Sequence, residues 1–294
     1  MSSPSTSRAT ELPTAAALQA DEKDIVIALA GREPVQARTY GVRTRHAAGS
    51  ATPLVLHFHG GNFSCGGLDN GRSVARMLTD AGAAVVSMAY PLAPAHPFPG
   101  AIEIGYETLE WLHKHRVKLA GKGARVFIAG EEAGGNLAAA LALIARDRAH
   151  PPLAGQILLS PMLDPCAGTA SLRAATCEAT VNCKYAEGWQ QYLRSPRDAE
   201  HPYAVPGQAS RLADIAPTLV LTGQDDPMRD EALKYAKRLA DAGIETHSSV
   251  IAAARNWPDA LSDPQAERAC PCAVAVTAKF REFFETTKTP QPPH

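Results

Sequence analysis

The pattern of apolar residues predicts a single α/β domain, with a mostly parallel β-sheet and helices on both of its faces. Short apolar segments, typical of buried strands, alternate along the chain with longer amphipathic segments, typical of helices. Such an alternation favours parallel strands joined by crossover helices. A chain of 294 residues with 45% hydrophobic and 20% charged content is also long enough to bury a complete core as one large domain.

Each predicted strand is a short apolar run, and each predicted helix is a longer segment whose apolar residues recur three or four positions apart. The strands are expected at residues 53–58, 83–90, 124–129, 155–160, 218–222 and 246–252. The helices are expected at residues 71–81, 101–119, 136–146, 230–242 and 274–284. The chain before the first of these strands, residues 21–40, is expected to supply a short helix and a strand.

Two stretches of the chain interrupt this alternation. Residues 1–35 are predicted to form an N-terminal segment that is partly disordered, since its first part is rich in Ser, Thr and Ala, and that contributes to a lid over the site. Residues 36–294 then form the α/β domain. An insertion at about residues 165–212, with an amphipathic segment at 185–193, is expected to form the rest of the lid, because insertions between core strands commonly cover binding sites.

Charge and composition exclude several classes of partner. The formal net charge of −1 provides no basic surface for nucleic acid or for an anionic membrane. The chain has no apolar stretch long enough to span a membrane and no signal-peptide pattern, so a cytoplasmic location is expected. In that compartment the six cysteines are expected to be free thiols. Cys270 and Cys272 have no histidine or second cysteine pair nearby, so the sequence implies no metal and no other cofactor.

The most informative segment runs from Ile128 to Asn136, with the sequence Ile-Ala-Gly-Glu-Glu-Ala-Gly-Gly-Asn. It joins a predicted strand to a predicted helix through a tight glycine-rich turn. This is the geometry of the nucleophile elbow, which raises one side chain above the sheet of an α/β-hydrolase. The residue at that position is Glu132, where an esterase has serine. A carboxylate has no hydroxyl for a histidine to deprotonate, so the usual serine mechanism lacks its nucleophile.

Four motifs occur in the chain order of one known family. They are His59-Gly-Gly-Asn62, Tyr90-Pro-Leu-Ala-Pro-Ala-His-Pro-Phe-Pro99, Gly130-Glu-Glu-Ala-Gly-Gly-Asn136 and Asp226-Pro-Met-Arg-Asp-Glu231. Over residues 36–286 the chain resembles the hormone-sensitive-lipase-like (family IV) carboxylesterases of the α/β-hydrolase superfamily. The corresponding family motifs are H-G-G-G, Y-R-L-A-P-E-H-x-F-P, G-D-S-A-G-G-N and D-P-L-R-D-E. The resemblance implies the α/β-hydrolase fold, with a mostly parallel central sheet and a small lid, and an activity on carboxylic esters.

The resemblance also implies an oxyanion hole, in which backbone N–H groups bind the negative oxygen that develops during ester hydrolysis. By position, its donors are Gly60, Gly61 and Ala133. Asn62 replaces the third glycine of the family motif, so the loop that forms the hole differs from that of the family.

The same comparison shows that the catalytic triad is incomplete. Glu132 stands at the nucleophile position, and Asp226 stands at the position of the acid that orients a histidine. The position of the histidine itself is occupied by Asn256, and no histidine occurs between His247 and His294. An asparagine does not titrate near neutral pH and therefore does not serve as a general base. Conventional serine esterase activity is accordingly predicted to be absent or very weak.

The sequence is compatible with three interpretations of Glu132. Its carboxylate could be an exposed acid at the N-terminus of a helix, stabilised by the helix dipole. It could instead fill the oxyanion hole and accept the N–H groups of Gly60, Gly61 and Ala133, since donors arranged for an oxyanion also bind a permanent anion. It could also be a covalent nucleophile, as the elbow aspartate is in some α/β-hydrolases.

Asn62, Trp189, Tyr192 and Trp257 are the candidate lining of a ligand pocket, and ordinary packing explains the three aromatic residues equally well. The expected ligand is a small ester- or acid-like molecule, and neither nucleic acid nor a membrane is an expected partner. The resemblance is also compatible with a homodimer, because many relatives pair through the helix or strand at the sheet edge.

Three functions follow from these features. The first is a catalytically impaired esterase homologue, a pseudoenzyme that keeps the pocket and binds a small ester- or acid-like molecule. The second is an active enzyme in which Glu132 serves as a carboxylate nucleophile or base in another reaction. The third is an interaction protein whose hydrolase fold is a platform for a partner.

Overall fold

The computed structural model describes residues 22–42, 52–165, 168–177, 184–252, 256–262 and 271–287. These residues form an eight-stranded sheet with helices on both faces, which confirms the predicted fold class. The strands are β1 Glu22–Ile27, β2 Val35–Tyr40, β3 Pro53–Phe58, β4 Ala84–Met88, β5 Arg125–Glu131, β6 Gly155–Leu159, β7 Thr218–Gly223 and β8 Thr246–Ile251. The helices of this part of the chain are α1 Arg72–Asp80, α2 Gly100–Ala120, α3 Ala133–Asp147, α4 Ala170–Cys177, α5 Lys184–Tyr192, α6 Arg229–Asp241, α7 Asp259–Ser262 and α8 Ala273–Thr286.

The strands lie in the order β1-β2-β4-β3-β5-β6-β7-β8 across the sheet. β1 pairs with β2, and β2 with β4, in an antiparallel arrangement, and the pairings from β4 through β8 are parallel. The carboxyl ends of β3, β5 and β7 therefore lie at the same edge of the sheet. The loops that follow these three strands contain the oxyanion loop (residues 59–62), the elbow at Glu132 and the motif at residues 226–231. This is the edge at which open α/β sheets bind their ligands.

Side chains that alternate along the strands pack into two separate hydrophobic clusters, one on each face of the sheet. On β5, Val126 and Ile128 belong to one cluster, and Phe127 and Ala129 belong to the other. The first cluster includes α2, α3 and α6, and the second includes α1 and α8. α3 is buried over nearly all of its 15 residues, which explains why it is apolar on all sides. Within the described ranges, no helix has both the length and the apolarity that are needed to cross a bilayer.

The segment at residues 21–40 differs from its prediction. Glu22–Ile27 is a strand rather than a short helix, and it pairs with Val35–Tyr40 at one end of the sheet. The apolar pattern of β1 is weak because an edge strand is partly exposed, and it carries the exposed polar residues Lys23 and Asp24. The sheet therefore begins before residue 36. Residues 1–21, which were expected to be partly disordered, lie outside the described residues.

The stretch predicted as a lid contains α4, α5 and two short 3-10 turns, Asp198–Glu200 and Pro206–Gln208. Residues 166–167 and 178–183 of this stretch lie outside the described part of the chain. α4 is attached to the loop after β7 through Ser171, whose Oγ donates to the carbonyl oxygen of Pro227 over 2.9 Å. The N–H of Ser171 also donates to Asp230 of α6 over 2.9 Å. The stretch is therefore anchored beside the carboxyl ends of the strands.

The cysteines follow the expectation of free thiols only in part. Cys65 is a free thiol on an exposed loop. Cys272, at the start of α8, is buried and disulfide-bonded. The expectation depended on the cellular compartment alone, and the structure therefore corrects it at Cys272.

Candidate active site

The turn between β5 and α3 has the backbone geometry of a nucleophile elbow. Glu132 lies at its apex with φ 55° and ψ −117°, a strained conformation for a residue with a side chain. The turn is tight because α3 passes close to β3 and β5. A Cβ atom on Gly134 would lie 2.1 Å from the carbonyl oxygen of Phe58, and one on Gly130 would lie 2.2 Å from that of Gly134. Both positions therefore require glycine, and together they hold residue 132 at the carboxyl end of β5.

The side chain of Glu132 is buried, with only 3% of the residue exposed. Its Oε2 accepts a hydrogen bond from the backbone N–H of Gly61 over 3.1 Å, whereas its Oε1 is buried without a hydrogen-bond partner among the described residues. Burial raises the pKa of this carboxyl to about 7, against the opposing effects of the nearby Lys184 ammonium and the Gly61 N–H. The carboxylates of Asp259 and Glu131 raise it further. Near neutral pH, Glu132 is therefore present in both charged and neutral forms.

The burial of Glu132 excludes one of its three interpretations, since an acid that caps a helix at the surface would be exposed. Its hydrogen bonding agrees only in part with the second interpretation, in which the carboxylate fills the oxyanion hole. Of the three expected donors, Gly61 binds the carboxylate, whereas the N–H of Gly60 donates to Glu131. The third residue, Ala133, is fully buried as the first residue of α3. One glycine N–H of the oxyanion loop is thus occupied by the elbow side chain.

A second buried carboxylate, which the sequence analysis missed, holds the start of the oxyanion loop. The Oε1 of Glu131 accepts the N–H of Gly60 over 3.1 Å, and its Oε2 lies 2.7 Å from Nε2 of His57. The Nδ1 of His57 lies 2.9 Å from Oγ of Ser87, and all three side chains are fully buried. Because the N–H of Gly60 already binds Glu131, its predicted role as an oxyanion donor is not available in this arrangement.

Asp226 lies in the loop after β7 and is fully buried. Its Oδ2 accepts hydrogen bonds from the hydroxyl groups of Ser160 and Thr222, and its Oδ1 accepts the backbone N–H of Met228 over 2.8 Å. Burial raises the pKa of this carboxyl, and these hydrogen bonds oppose the increase. Both oxygens of Asp226 are therefore bonded without a histidine. None of the histidines in the described residues forms a hydrogen bond to it.

Asn256 does not complete a relay with Asp226. It is exposed, with φ 56°, and its backbone N–H donates to Oδ2 of Asp225 over 3.1 Å rather than to Asp226. The positions of the nucleophile, the acid and the histidine are thus not connected by hydrogen bonds in the part of the chain that the structure describes. Within the same part, no group of three His, Cys, Asp or Glu side chains is placed to hold a metal ion.

The predicted aromatic lining is divided between the two faces of the sheet. Phe63 directly follows the oxyanion loop, and its ring stacks on that of Tyr192 at a centroid distance of 4.0 Å. The ring of Trp189 lies 5.0 Å from the ring of Phe63. Trp189 and Tyr192 are buried, and their contacts with Phe63 pack α5 against the oxyanion loop. Trp257 is buried in the hydrophobic cluster on the other face and does not join them. Asn62 precedes Phe63, and its Oδ1 is buried without a partner among the described residues.

Gly188 allows α5 to approach the oxyanion loop closely. A Cβ atom on Gly188 would lie 2.4 Å from the carbonyl oxygen of Asn62. Gly188→Ala is therefore expected to lower the free energy of unfolding by about 1–2 kcal/mol, although alanine is the better helix former, because overpacking forces the backbone to shift. Urea unfolding measures this change. The control is Gly67→Ala, whose added Cβ meets nothing within 4 Å, with an expected change of at most about 0.5 kcal/mol. An unchanged free energy for Gly188→Ala would contradict this packing.

An ion pair connects α5 and α7 beside the elbow. Lys184, the first residue of α5, pairs with Asp259, the first residue of α7. Both charges act on the pKa of Glu132: the Lys184 ammonium lowers it and the Asp259 carboxylate raises it. The two side chains are 42% and 65% exposed. Because exposed ion pairs contribute only about 0–1 kcal/mol, this connection could open for a ligand at little cost in free energy.

The sheet order, the elbow and the oxyanion loop together define an α/β-hydrolase. A family model that is described as the alpha/beta hydrolase fold matches residues 55–254 of the chain. The match extends over more than half of the chain, so the protein belongs to this family. The resemblance to the hormone-sensitive-lipase-like esterases is supported by the same match and by the relatives below.

Similar proteins include curated esterases and a solved esterase structure. The chain is 35% identical over 202 residues to Esterase LipI of Mycobacterium tuberculosis, covering 67% of this chain and 63% of that protein. It is 38% identical over 208 residues to Carboxylic ester hydrolase LipN of the same organism, covering 68% of this chain and 55% of that protein. The matched part is thus less than two thirds of the length of these relatives. The structure of the hyperthermophilic esterase from the archaeon Pyrobaculum calidifontis matches with a TM-score of 0.76 and 32% identity, over 90% of this chain and 86% of that chain.

Proposed function

We propose that this protein is a catalytically impaired esterase homologue, a pseudoenzyme that binds a small ester- or acid-like molecule without hydrolysing it. The observation that carries this proposal is the carboxyl group of Glu132, which is buried at the apex of the elbow and bonded to the N–H of Gly61. A serine esterase needs a hydroxyl nucleophile at this apex and unoccupied N–H donors in front of it. Here an acid is at the apex and occupies one of those donors.

Among the described residues, no histidine bonds to Asp226 as the general base of a serine mechanism would. Asp226 binds two hydroxyl groups and a backbone N–H, and Asn256 carries a side chain that does not titrate. General acid–base catalysis typically contributes about 10²–10⁴-fold to the rate of a reaction. Without it, and without a hydroxyl nucleophile, ester hydrolysis at the elbow is expected to proceed close to the uncatalysed rate.

Ligand binding does not require the missing catalytic groups. The N–H of Gly61 remains a donor that a ligand oxygen could accept once Glu132 moves aside. The neutral form of Glu132, which is populated near pH 7, leaves this donor more easily than the anion because it breaks a weaker hydrogen bond. Relatives that are named esterases support a carboxylic ester or acid as the ligand class.

Hydrolysis of p-nitrophenyl butyrate by the purified protein is expected to be no faster than hydrolysis by the Glu132→Ala variant. Release of p-nitrophenolate measures the rate, with the Pyrobaculum calidifontis esterase as the positive control. In parallel, ethyl butyrate and butyrate are expected to raise the melting temperature with increasing concentration, as ligands of the folded state do. Turnover well above background that Glu132→Ala abolishes would overturn the proposal.

A second candidate function is an enzyme in which Glu132 is a carboxylate nucleophile or base. The pKa of about 7 favours this candidate, because a general base is most efficient when its pKa lies near the operating pH. Attack of a Glu132 oxygen on an epoxide carbon would break the ring C–O bond, and the ring oxygen would take a proton from water, which leaves a hydroxyalkyl ester on the protein. Intact-mass spectra after incubation with epoxides and alkyl halides test this, with Glu132→Gln as the blank. No gain in mass relative to the blank would exclude covalent chemistry with these reagents.

A further inference from the structure

Two buried oxygen atoms at the elbow have no hydrogen-bond donor among the described residues. One is Oε1 of Glu132, in a side chain that is almost completely buried, and the other is Oδ1 of Asn62. Asn62 directly follows Gly61, the residue that donates to the second oxygen of Glu132. Both unpartnered atoms are acceptors, and a buried acceptor without a donor is energetically unfavourable. Among the described residues, these two oxygens therefore lack donors.

One ammonium and two carboxylates act on Glu132, and the Lys184 ammonium has the largest effect of the three. Asp259 and Glu131 both disfavour a negative charge on Glu132. Lys184 favours it, but the Lys184 ammonium is already paired with Asp259. A ligand group with a negative charge would add to this repulsion, whereas a positive group would relieve it.

We infer that the elbow binds a small ester-like molecule that carries an ammonium group, with the ammonium directed at the carboxylate of Glu132. This inference rests on the proposed function and narrows its ligand class to amino esters. An ammonium group supplies three N–H donors, the kind of group that the unpartnered oxygens of Glu132 and Asn62 lack. Its positive charge also compensates the buried carboxylate, so one group provides both the hydrogen-bond donors and the counter-charge.

The geometry explains why an amino ester suits this site better than a simple acid. The Oε2 of Glu132 is bonded to Gly61, whereas Oε1 is unpartnered, so an ammonium that binds Oε1 does not compete with the Gly61 N–H. An anionic ligand would have to remove the Glu132 oxygen from Gly61 and would then lie beside Glu131. The replacement of a hydroxyl by a carboxylate thus converts a position of nucleophilic attack into a position of charge recognition.

β-Alanine ethyl ester and ethyl butyrate are matched probes, because the first carries an ammonium group where the second has a methyl group. Butyrate represents the acids. Titration calorimetry of the full chain near neutral pH gives the dissociation constant of each probe. β-Alanine ethyl ester is expected to bind roughly tenfold more tightly than ethyl butyrate, the difference that one charge-assisted hydrogen bond provides. Butyrate is expected to bind more weakly than β-alanine ethyl ester.

Glu132→Gln removes the charge and keeps the size of the side chain, so it is expected to bring the two dissociation constants together. Glu231→Gln is the matched control. Glu231 is also a buried glutamate, its Oε1 accepts the N–H of Leu163 over 2.9 Å, and burial raises its pKa to about 8. This control is expected to keep the preference for the ammonium ester. Thermal unfolding verifies that each variant is folded, and the comparison of probes on the unaltered protein tests the inference without any variant.

The possible outcomes separate this inference from the proposed function. Equal binding of the two esters, or tighter binding of ethyl butyrate or butyrate, would overturn the ammonium preference and leave the proposed function standing. Ethanol release from either ester, followed by nuclear magnetic resonance, would overturn the proposed function whatever the preference. Failure of all three probes to bind at high millimolar concentration would overturn the proposed function and, with it, this inference.

Discussion

Glu132→Gln is expected to be more stable than the unaltered protein above about pH 7, with this advantage vanishing near pH 5. The cause is the burial of Glu132, which raises the pKa of its carboxyl from 4.5 to about 7 in the folded state. In the unfolded chain the carboxyl is hydrated and its pKa returns to the ordinary range. Above that range, folding must either return a proton to Glu132 or bury its charge.

The sign of the effect follows from counting protons. Between about pH 4.5 and pH 7, the folded protein holds a proton that the unfolded chain has released, so the free energy of unfolding falls as the pH rises. The loss is complete above the folded-state pKa and amounts to about 3 kcal/mol. Glu132→Gln does not undergo this loss, because its amide is uncharged, and the amide oxygen can still accept the N–H of Gly61.

Urea unfolding of both proteins from about pH 5 to about pH 9 provides the measurement. The difference between their free energies isolates Glu132, because other buried carboxyl groups titrate in both proteins. One of these is Glu231, whose pKa burial raises to about 8. Glu231→Gln is the matched control and should keep the dependence that comes from Glu132. A difference between the Glu132→Gln variant and the unaltered protein that stays constant across this range would show that the Glu132 carboxyl is not buried in solution.

The parallel part of the fold could be predicted from the sequence almost residue by residue. β3 through β7 are covered on both faces and are therefore largely apolar, which makes them visible as short hydrophobic runs. β1 could not be recognised in this way, because it is an edge strand with an exposed side. The start of α3 lies three residues earlier than expected, at Ala133, because the elbow changes direction within the single residue Glu132.

The site was predictable in position but not in its hydrogen bonding. Which N–H of the oxyanion loop faces the elbow depends on local dihedral angles, such as φ 118° at Gly61, that no motif specifies. Glu131 had a usable signal. Strand pairing places His57 opposite Ala129, so the two-residue alternation puts Glu131 and His57 on the same face. An acid at the end of a buried strand needs hydrogen-bond partners, and His57 is the nearest candidate. For Trp257, no periodic pattern indicated which face it would occupy.

Glu132→Ser combined with Asn256→His is expected to produce measurable hydrolysis of p-nitrophenyl acetate and p-nitrophenyl butyrate, roughly 10²-fold above either single variant. The first substitution supplies the hydroxyl nucleophile and releases the N–H of Gly61. The second places an imidazole beside the loop after β7, because the backbone N–H of residue 256 binds Asp225 of that loop. Each single variant is expected to remain nearly inactive, because a nucleophile and its base act as a unit.

Two hydroxyl groups already bind Asp226, the acid of this restored triad, and they provide a sharper test of where residue 256 lies. Asp226 now accepts the hydroxyl groups of Ser160 and Thr222 on the same oxygen, and an imidazole N–H must replace one of them to be oriented. Adding Ser160→Ala to the double variant is therefore expected to raise the rate further, and adding Asp226→Asn is expected to lower it. Mass spectra that show an acyl group on the peptide containing position 132 would identify the new nucleophile. A folded double variant that stays inactive, with or without Ser160→Ala, would mean that residue 256 does not lie where the family histidine acts.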